Sequence, residues 1–211
     1  APAQVSGLSS GATALAAGDR HSCAVVSGAV LCWGDDVAGQ LGDGGSQSLA
    51  LPVQALASGA TAVAAGSGHS CAVAGAALAE VLSCWGDNSS GQVAGGVNAP
   101  AVQRTPLPVD VGIHPTGVAA GNAHTCAFAG GATGPVCFGS NASSELGLPA
   151  TPRGSNTLAV PLVQGLTAGY HHSCALYGEG GIRCWGANDR GQVGNGTSGA
   201  PVEQPVDVSG D

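Results

Sequence analysis

Four histidines recur along the chain in one setting, and they are the residues whose type and spacing could do chemistry. Each stands two residues before a cysteine, and a second cysteine follows, so every copy offers imidazole and thiol groups that can bind zinc. The four are His21, His69, His124 and His172. They lie in copies of Gly-x-x-His-Ser/Thr-Cys that begin 48, 55 and 48 residues apart. This period indicates a repeat architecture, in which each unit buries its apolar face against the next.

The eight cysteines fall two to a copy, and their positions favour disulfides over a metal site. In the first copy, strand-forming runs at 21–26 and 29–33 flank a two-residue turn, so two cysteines equidistant from the turn face each other. Opposed Cα atoms in such hairpins lie about 4.5–5.5 Å apart, which is within disulfide range. The predicted pairs are Cys23–Cys32, Cys71–Cys84, Cys126–Cys137 and Cys174–Cys184. We therefore predict that no metal is bound.

The elements that must position these groups are β-strands. The small apolar run 12–17 predicts a tightly packed inner strand, and the cysteine hairpin and a Gly-Gln-Leu-Gly turn at 39–42 follow it. No segment has helical periodicity. We predict an all-β chain that forms a single repeat array over residues 1–211. The approximate repeats are 1–50, 51–101, 102–160 and 161–211.

Composition excludes several classes of partner. The chain has 211 residues with 44 % hydrophobic and only 9 % charged residues, no lysine, and a net charge of −8. Phosphate backbones and anionic membrane surfaces attract clustered Lys and Arg, so we predict neither nucleic acid nor membrane as a partner. No apolar stretch of about 18 residues is present to insert into a membrane. The evenly spaced cysteines, and a start without Met, predict a secreted protein whose signal peptide has been removed.

Two interpretations of the repeated histidines are open. Four imidazoles from four repeats could converge on an axial metal, or each could be buried and tie its repeat to a neighbour through a hydrogen bond. We favour the second, because the position recurs in a structural repeat. The same argument favours packing over sugar stacking for the aromatic residues beside the second cysteine. These are Trp33, Trp85, Phe138 and Trp185.

A further repeated position lies three residues after each of these aromatics. It holds Asp or Asn, which are typical turn formers. The residues are Asp36, Asn88, Asn141 and Asn188. No nucleophile–base–acid arrangement, phosphate-binding loop or spaced pair of acids accompanies them, so we predict no enzyme activity and no cofactor.

The motifs resemble the regulator of chromosome condensation repeat. Its hallmark, Gly-x-x-His-Ser/Thr followed by Trp-Gly-x-Asn-x-x-Gly-Gln-Leu-Gly, is matched at 32–42, 84–93 and 184–194, while the third copy has Phe138 for Trp and Ser144-Glu145 for Gly-Gln. The paired cysteines are similar to the exported bacterial branch of that family. The resemblance implies a β-propeller with one four-stranded blade per repeat. Family members usually have seven blades, so four repeats imply either a small closed ring or an open arc that a neighbouring chain completes.

The ends of the chain resemble an internal segment. Residues 2–7 and 205–210 both look like Pro-Val-Gln-Ala at 52–55, which we interpret as lying between blades. The duplicated segment suggests head-to-tail assembly, with connectors at Pro2, Val5, Pro205 and Val208. The first hypothesis is therefore a secreted, disulfide-stapled structural subunit that assembles with copies of itself as a fibre or surface layer. The alternative is a monomeric module that binds protein or glycan, and a metal-dependent protein ranks third.

Overall fold

The structure is a computed structural model that describes residues 3–77, 79–93 and 99–209. These residues form sixteen β-strands in four antiparallel sheets of four strands each, and they contain no α-helix. No helix that could cross a membrane therefore exists among them. Each sheet is formed by consecutive strands, so we call the sheets blades 1 to 4 in chain order.

Each blade consists of four strands that follow one another in the chain. Blade 1 contains β1 (Ala12–Ala17), β2 (His21–Val26), β3 (Ala29–Gly34) and β4 (Leu49–Leu56). Blade 2 contains β5 (Ala60–Ala65), β6 (His69–Ala74), β7 (Val81–Asp87) and β8 (Val102–Val109). Blade 3 contains β9 (Gly117–Ala120), β10 (His124–Phe128), β11 (Val136–Asn141) and β12 (Thr151–Thr157). Blade 4 contains β13 (Val163–Ala168), β14 (His172–Tyr177), β15 (Gly181–Gly186) and β16 (Val202–Asp207).

The central hairpin of each blade carries one disulfide. In blade 1, Ser27 and Gly28 have positive φ angles of 51° and 82°, as the tightest two-residue hairpin turn requires. That turn sets Cys23 directly opposite Cys32. The Cα atoms of the four bonded pairs lie 4.0–4.1 Å apart, and each cysteine is joined to the partner that the hairpin symmetry predicts.

Each pair of adjacent blades shares an apolar core. Every blade has two faces that differ in their residues. The rear face of a blade packs on the following blade, and the front face packs on the preceding one. Between blades 1 and 2, the rear-face residues are Cys23, Val25, Val30, Cys32 and Leu41, and the front-face residues are Ala60, Val63, Ala72 and Trp85. Many equivalent residues form the core between blades 2 and 3 and the core between blades 3 and 4, and the latter also contains Leu158 and Val160 from the segment between β12 and β13.

The segment at 52–55 is an outer strand and not a link between blades. It lies in β4, which pairs with β3 of its own sheet. Likewise Pro205 lies in β16 and Val208 donates its N–H to the Ile182 carbonyl, so the C-terminal segment fills the outer edge of blade 4. Val5 lies outside any strand and accepts a hydrogen bond from the Leu8 N–H, whereas Pro2 is outside the described residues.

Candidate functional site

A hydrogen bond from each of the first three repeated histidines joins its blade to the next. His21 Nε2 lies 2.8 Å from Ser70 Oγ, and His69 Nε2 lies 2.9 Å from Thr125 Oγ1. His124 Nε2 lies 2.9 Å from Ser173 Oγ. The hydroxyl in each case directly follows the histidine of the next repeat, so the Gly-x-x-His-Ser/Thr motif supplies both halves of the contact.

The direction of each histidine–hydroxyl hydrogen bond follows from where the hydroxyl hydrogen points. Ser70 Oγ donates to the Gln40 carbonyl at 2.9 Å, so the remaining contact to His21 uses the imidazole Nε2–H as donor. The same holds for His69, because Thr125 Oγ1 donates to the Gln92 carbonyl. Burial lowers the pKa of His21 to about 4 and the pKa of His69 to about 3, since a charged ring would lose its hydration. These histidines are therefore neutral Nε2–H donors.

The first glycine of each motif makes room for the imidazole. A Cβ on Gly66 would lie 2.3 Å from His69 Cε1 and 2.4 Å from the carbonyl oxygen of Gly121 in the next blade. Gly18 and Gly121 are equally crowded by their own histidine and the next repeat. The glycine is thus required by close approach, and its spacing from the histidine is fixed by the hydrogen bond Gly66 N–H to His69 C=O.

The repeated tryptophans reach back to the preceding blade. Trp85 Nε1 donates to the Gln40 carbonyl at 2.9 Å, and Trp185 Nε1 donates to the Glu145 carbonyl at 2.7 Å. Both rings are fully buried. The Gln40 carbonyl therefore accepts from both Ser70 and Trp85, so the Gly-Gln turn of one blade is the acceptor for the front face of the next.

The Asp or Asn of each repeat holds that turn in place. Asn88 Oδ1 accepts the N–H of Val93, and Asp36 Oδ1 accepts that of Leu41, both at 2.9 Å. Asn88 also donates through Nδ2 to the Pro100 carbonyl. Asp36 is fully buried, its Oδ2 has no hydrogen-bond partner among the described residues, and burial raises its pKa. Its role is thus structural, and the carboxyl group is an imperfect substitute for the amide.

The third repeat replaces the glutamine with a buried acid. Glu145 is fully buried, and its Oε2 accepts the N–H of Ser143 as a glutamine would. Its Oε1 lies 2.9 Å from Nδ1 of His171, which belongs to blade 4. This additional link between blades 3 and 4 was missed by sequence analysis, which considered only the four histidines of the repeat. The coincidence of an extra His with a Gln-to-Glu change was the available signal.

The front face of blade 1 is uncovered. Leu15 of β1 is 73 % exposed, whereas Val63, the equivalent residue of β5, is 9 % exposed. Trp33 is partly exposed, unlike its equivalent Trp85, and no hydrogen bond of its indole is found in the described part of the chain. Ser22, the equivalent of Ser70, is also partly exposed.

The rear face of blade 4, at the opposite end of the array, is also uncovered. Leu176 and Ile182 are 40 % and 46 % exposed, whereas the equivalent Val25 and Val30 of blade 1 are completely buried. Together with Thr167 and Cys174, the two exposed side chains line an open hollow of about 330 Å³. His172 is partly exposed and, within the described residues, lacks the hydroxyl partner that the other three repeated histidines have.

A second depression, of about 250 Å³, lies where the four inner strands end. Its rim carries Asp19, Ser67, Asn122 and the exposed ring of Tyr170. Backbone hydrogen bonds cross it from blade to blade, as from Asn122 N–H to the Tyr170 carbonyl. Among the described residues, no group of three or more His, Cys, Asp or Glu side chains is placed to hold a metal ion.

Comparison with known proteins agrees with this architecture. Family models of the regulator of chromosome condensation (RCC1) repeat match residues 27–73 and 163–192. These two segments of the chain are RCC1 repeats. Both matched segments include inner hairpin strands, and the second includes the Trp-Gly-x-Asn-x-x-Gly-Gln motif of blade 4.

Solved structures of RCC1-type proteins share the propeller fold. Prp20p of Saccharomyces cerevisiae, which binds Gsp1p and histones, is 22 % identical with a TM-score of 0.83 over 98 % of this chain. Yeast RCC1 (Prp20) bound to Kap60 is 23 % identical with a TM-score of 0.80 over 93 % of this chain. Human WBSCR16 is 19 % identical with a TM-score of 0.81 over 96 % of it. This RCC1-repeat chain spans about half of each, at 52 %, 48 % and 56 % of their lengths respectively.

Proposed function

We propose that this RCC1-repeat protein is a non-enzymatic structural subunit that acts by binding protein, and that its partner is another copy of itself. The observation that supports this is the pair of uncovered blade faces. Leu15 is exposed at one end, whereas its equivalent Val63 is buried, and Leu176 and Ile182 are exposed at the other end, whereas their equivalents Val25 and Val30 are buried. Exposed apolar surface of this kind marks an interaction site. A head-to-tail contact between copies covers both faces at once.

We further propose that the subunit works outside the cell. Its eight cysteines are all disulfide-bonded, and such bonds form and persist in oxidising compartments. Only 9 % of its residues are charged, which suits a surface covered by other subunits in a fibre or surface layer. Fractionation of the source cells, with antibody detection under non-reducing conditions, tests this proposal. Recovery of reduced protein from the cytosol contradicts it.

The test of self-association is the mass of the protein in solution. Sedimentation velocity over a wide concentration range should show a sedimentation coefficient that rises with concentration. A sharp monomer at every concentration contradicts the proposal. Deletion of residues 1–7 distinguishes two routes of assembly. If the end segments are the connectors, the deletion abolishes association. If the blade faces are the contacts, it leaves association intact.

A second candidate is a monomeric module that binds another protein or a glycan. It is supported by the depression of about 250 Å³ at the ends of the inner strands, whose lining includes the exposed ring of Tyr170 together with Asp19 and Asn122. An aromatic face in a polar depression suits a sugar. The relative Prp20p, which binds Gsp1p and histones, shows that an RCC1-type propeller can bind proteins. Glycan-array binding that is lost in Tyr170→Ala, together with a monomeric mass, favours this candidate.

A further inference from the structure

We infer that the rear face of blade 4 binds the front face of blade 1 in a second copy of this chain, by repeating the contact that joins consecutive blades within one copy. The inference rests on the proposed self-association and names the residues that carry it. The histidine–hydroxyl bond occurs three times inside the chain, and an apolar core accompanies it each time. Both of its halves are also present, uncovered, at opposite ends of the blade array.

The two end faces together carry all the polar groups of this contact. Within the chain, His21 donates to Ser70, and both Ser70 and Trp85 donate to the Gln40 carbonyl. The residues equivalent to His21 and Gln40 in blade 4 are His172 and Gln192. The residues equivalent to Ser70 and Trp85 in blade 1 are Ser22 and Trp33. In the assembly, His172 of one copy donates to Ser22 of the next, while Ser22 and Trp33 donate to the Gln192 carbonyl.

The acceptor turn in blade 4 is already formed. Gln192 Oε1 accepts the N–H of Arg190 at 2.8 Å, and its Nε2 donates to Asp189 Oδ1 at 2.9 Å. Gln40 likewise accepts the N–H of Ala38, the residue equivalent to Arg190, and its Nε2 donates to a carboxylate of the same turn, that of Asp35. The Gln192 carbonyl is therefore held as the Gln40 carbonyl is, and little ordering is required when a second copy binds.

The apolar half fits by the same equivalence. Leu176 and Ile182, which line the hollow, are equivalent to Val25 and Val30, and those two residues share a core with Val63 and Ala60 of the next blade. Leu15 is equivalent to Val63 and Ala12 is equivalent to Ala60. Leu15 is thus the side chain that enters the hollow, and it is the most exposed of the large apolar residues in the described chain.

The experiment uses two variants, each of which disables one face. Leu15→Asp disables the front face, and Leu176→Asp combined with Ile182→Asp disables the rear face. All three positions are exposed in the single chain, so folding is preserved and can be checked by circular dichroism and disulfide mapping. Leu51→Asp, which places the same charge at an exposed site on β4, is the matched control. Sedimentation velocity is run on wild type, on Leu51→Asp, on each disabled variant alone and on an equimolar mixture of the two disabled variants.

Wild type and Leu51→Asp should associate, each disabled variant should be a monomer, and the mixture should form a dimer with one copy of each. That mixed dimer is specific to a head-to-tail contact. If wild type is a monomer, the proposed function fails and this inference fails with it. If wild type associates and a disabled variant associates equally well, only this inference is overturned. Monomeric variants whose mixture stays monomeric overturn the head-to-tail pairing as well.

A second pair of variants tests the hydrogen bond alone. Ser22→Ala removes the hydroxyl that pairs with His172, and it should weaken association about tenfold, the usual effect of losing one such bond. Ser22→Thr should associate like wild type, because the chain itself uses Thr125 at this position between blades 2 and 3. Equal association of the Ala and Thr variants contradicts the proposed pairing of Ser22 with His172.

Discussion

His69 Nε2 donates to Thr125 Oγ1 across 2.9 Å although the two residues are 56 positions apart in the chain. Thr125 passes its own hydrogen to the Gln92 carbonyl of the blade that holds His69. The pair of bonds therefore starts and ends in blade 2 and passes through one hydroxyl of blade 3. A side chain with exactly one donor hydrogen and free acceptor capacity is needed at that point, which explains why the motif carries Ser or Thr there.

Thr125→Val should destabilise the protein by about 1–3 kcal/mol, because the isosteric side chain leaves the buried His69 Nε2–H and the Gln92 carbonyl without a partner. Thr125→Ser keeps the hydroxyl and is the matched control, with a smaller loss from the missing methyl group. Urea unfolding followed by tryptophan fluorescence measures both. Equal losses in the two variants would show that packing and not the hydrogen bond sets the cost.

Acid should destabilise the fold through its buried histidines. Burial holds the pKa of His21 near 4 and those of His69 and His124 near 3, against an ordinary value of 6.5. The unfolded chain therefore takes up protons below pH 6.5 while the folded chain does not. Stability is complete above that pH and falls as the pH drops towards 3, by up to about 1.4 kcal/mol per unit for each histidine. Unfolding midpoints in urea from pH 7 to pH 4 measure the slope, and a flat profile contradicts it.

Asp36→Asn should stabilise the protein by about 1 kcal/mol at neutral pH. The three equivalent asparagines donate from Nδ2 to a nearby carbonyl, whereas Asp36 Oδ2 is buried without a hydrogen-bond partner among the described residues. Burial raises the pKa of Asp36 above its ordinary value of 3.8. The native state therefore loses stability as the pH rises from 3.8 through the raised pKa. The gain from Asn should therefore be larger at pH 7 than at pH 3. Thermal unfolding at both values provides the measurement, and a gain that is equal or larger in acid would refute the argument.

His171→Ala should cost about 2 kcal/mol, because it removes the partner of the buried Glu145 carboxyl group. Adding Glu145→Gln should recover part of the loss, since glutamine occupies this position in the other three repeats and carries no charge to bury. His114→Ala, at an exposed histidine, is the control and should change stability by less than about 0.5 kcal/mol. Unfolding free energies of the four proteins form the test. No recovery in the double variant would mean that the charge is not the cause.

Replacing Cys71 and Cys84 together with Ala should lower the unfolding free energy by about 3 kcal/mol or more, because the cross-link that restricts the unfolded chain is lost. The other three disulfides remain, so the chain should still fold. Urea unfolding measures the loss, and non-reducing peptide mapping checks that the remaining bonds are unchanged. Stability equal to wild type would show that this bridge contributes nothing to the fold.

The sequence by itself determined the local structure and its repetition. Strand alternation, the two-residue turn at Ser27 and the symmetry of Cys23 and Cys32 about it are short-range features, so the all-β class and the disulfide partners followed from spacing alone. The Trp-Gly-x-Asn-x-x-Gly-Gln motif likewise predicted the RCC1 family. Each of these depends on residues that are neighbours in the chain or across one hairpin.

Only the tertiary structure decided which blade each segment belongs to and which side chains a neighbouring blade covers. The sequence of the 52–55 segment is compatible with a link between blades or with an outer strand, and its pairing with β3 depends on how the loop 35–48 turns the chain back. The contact of Glu145 with His171 joins different blades and has no sequence period. The exposure of Leu15 beside the burial of Val63 could not be read from the repeat either, because equivalent residues share a sequence environment and differ only in whether a neighbouring blade covers them.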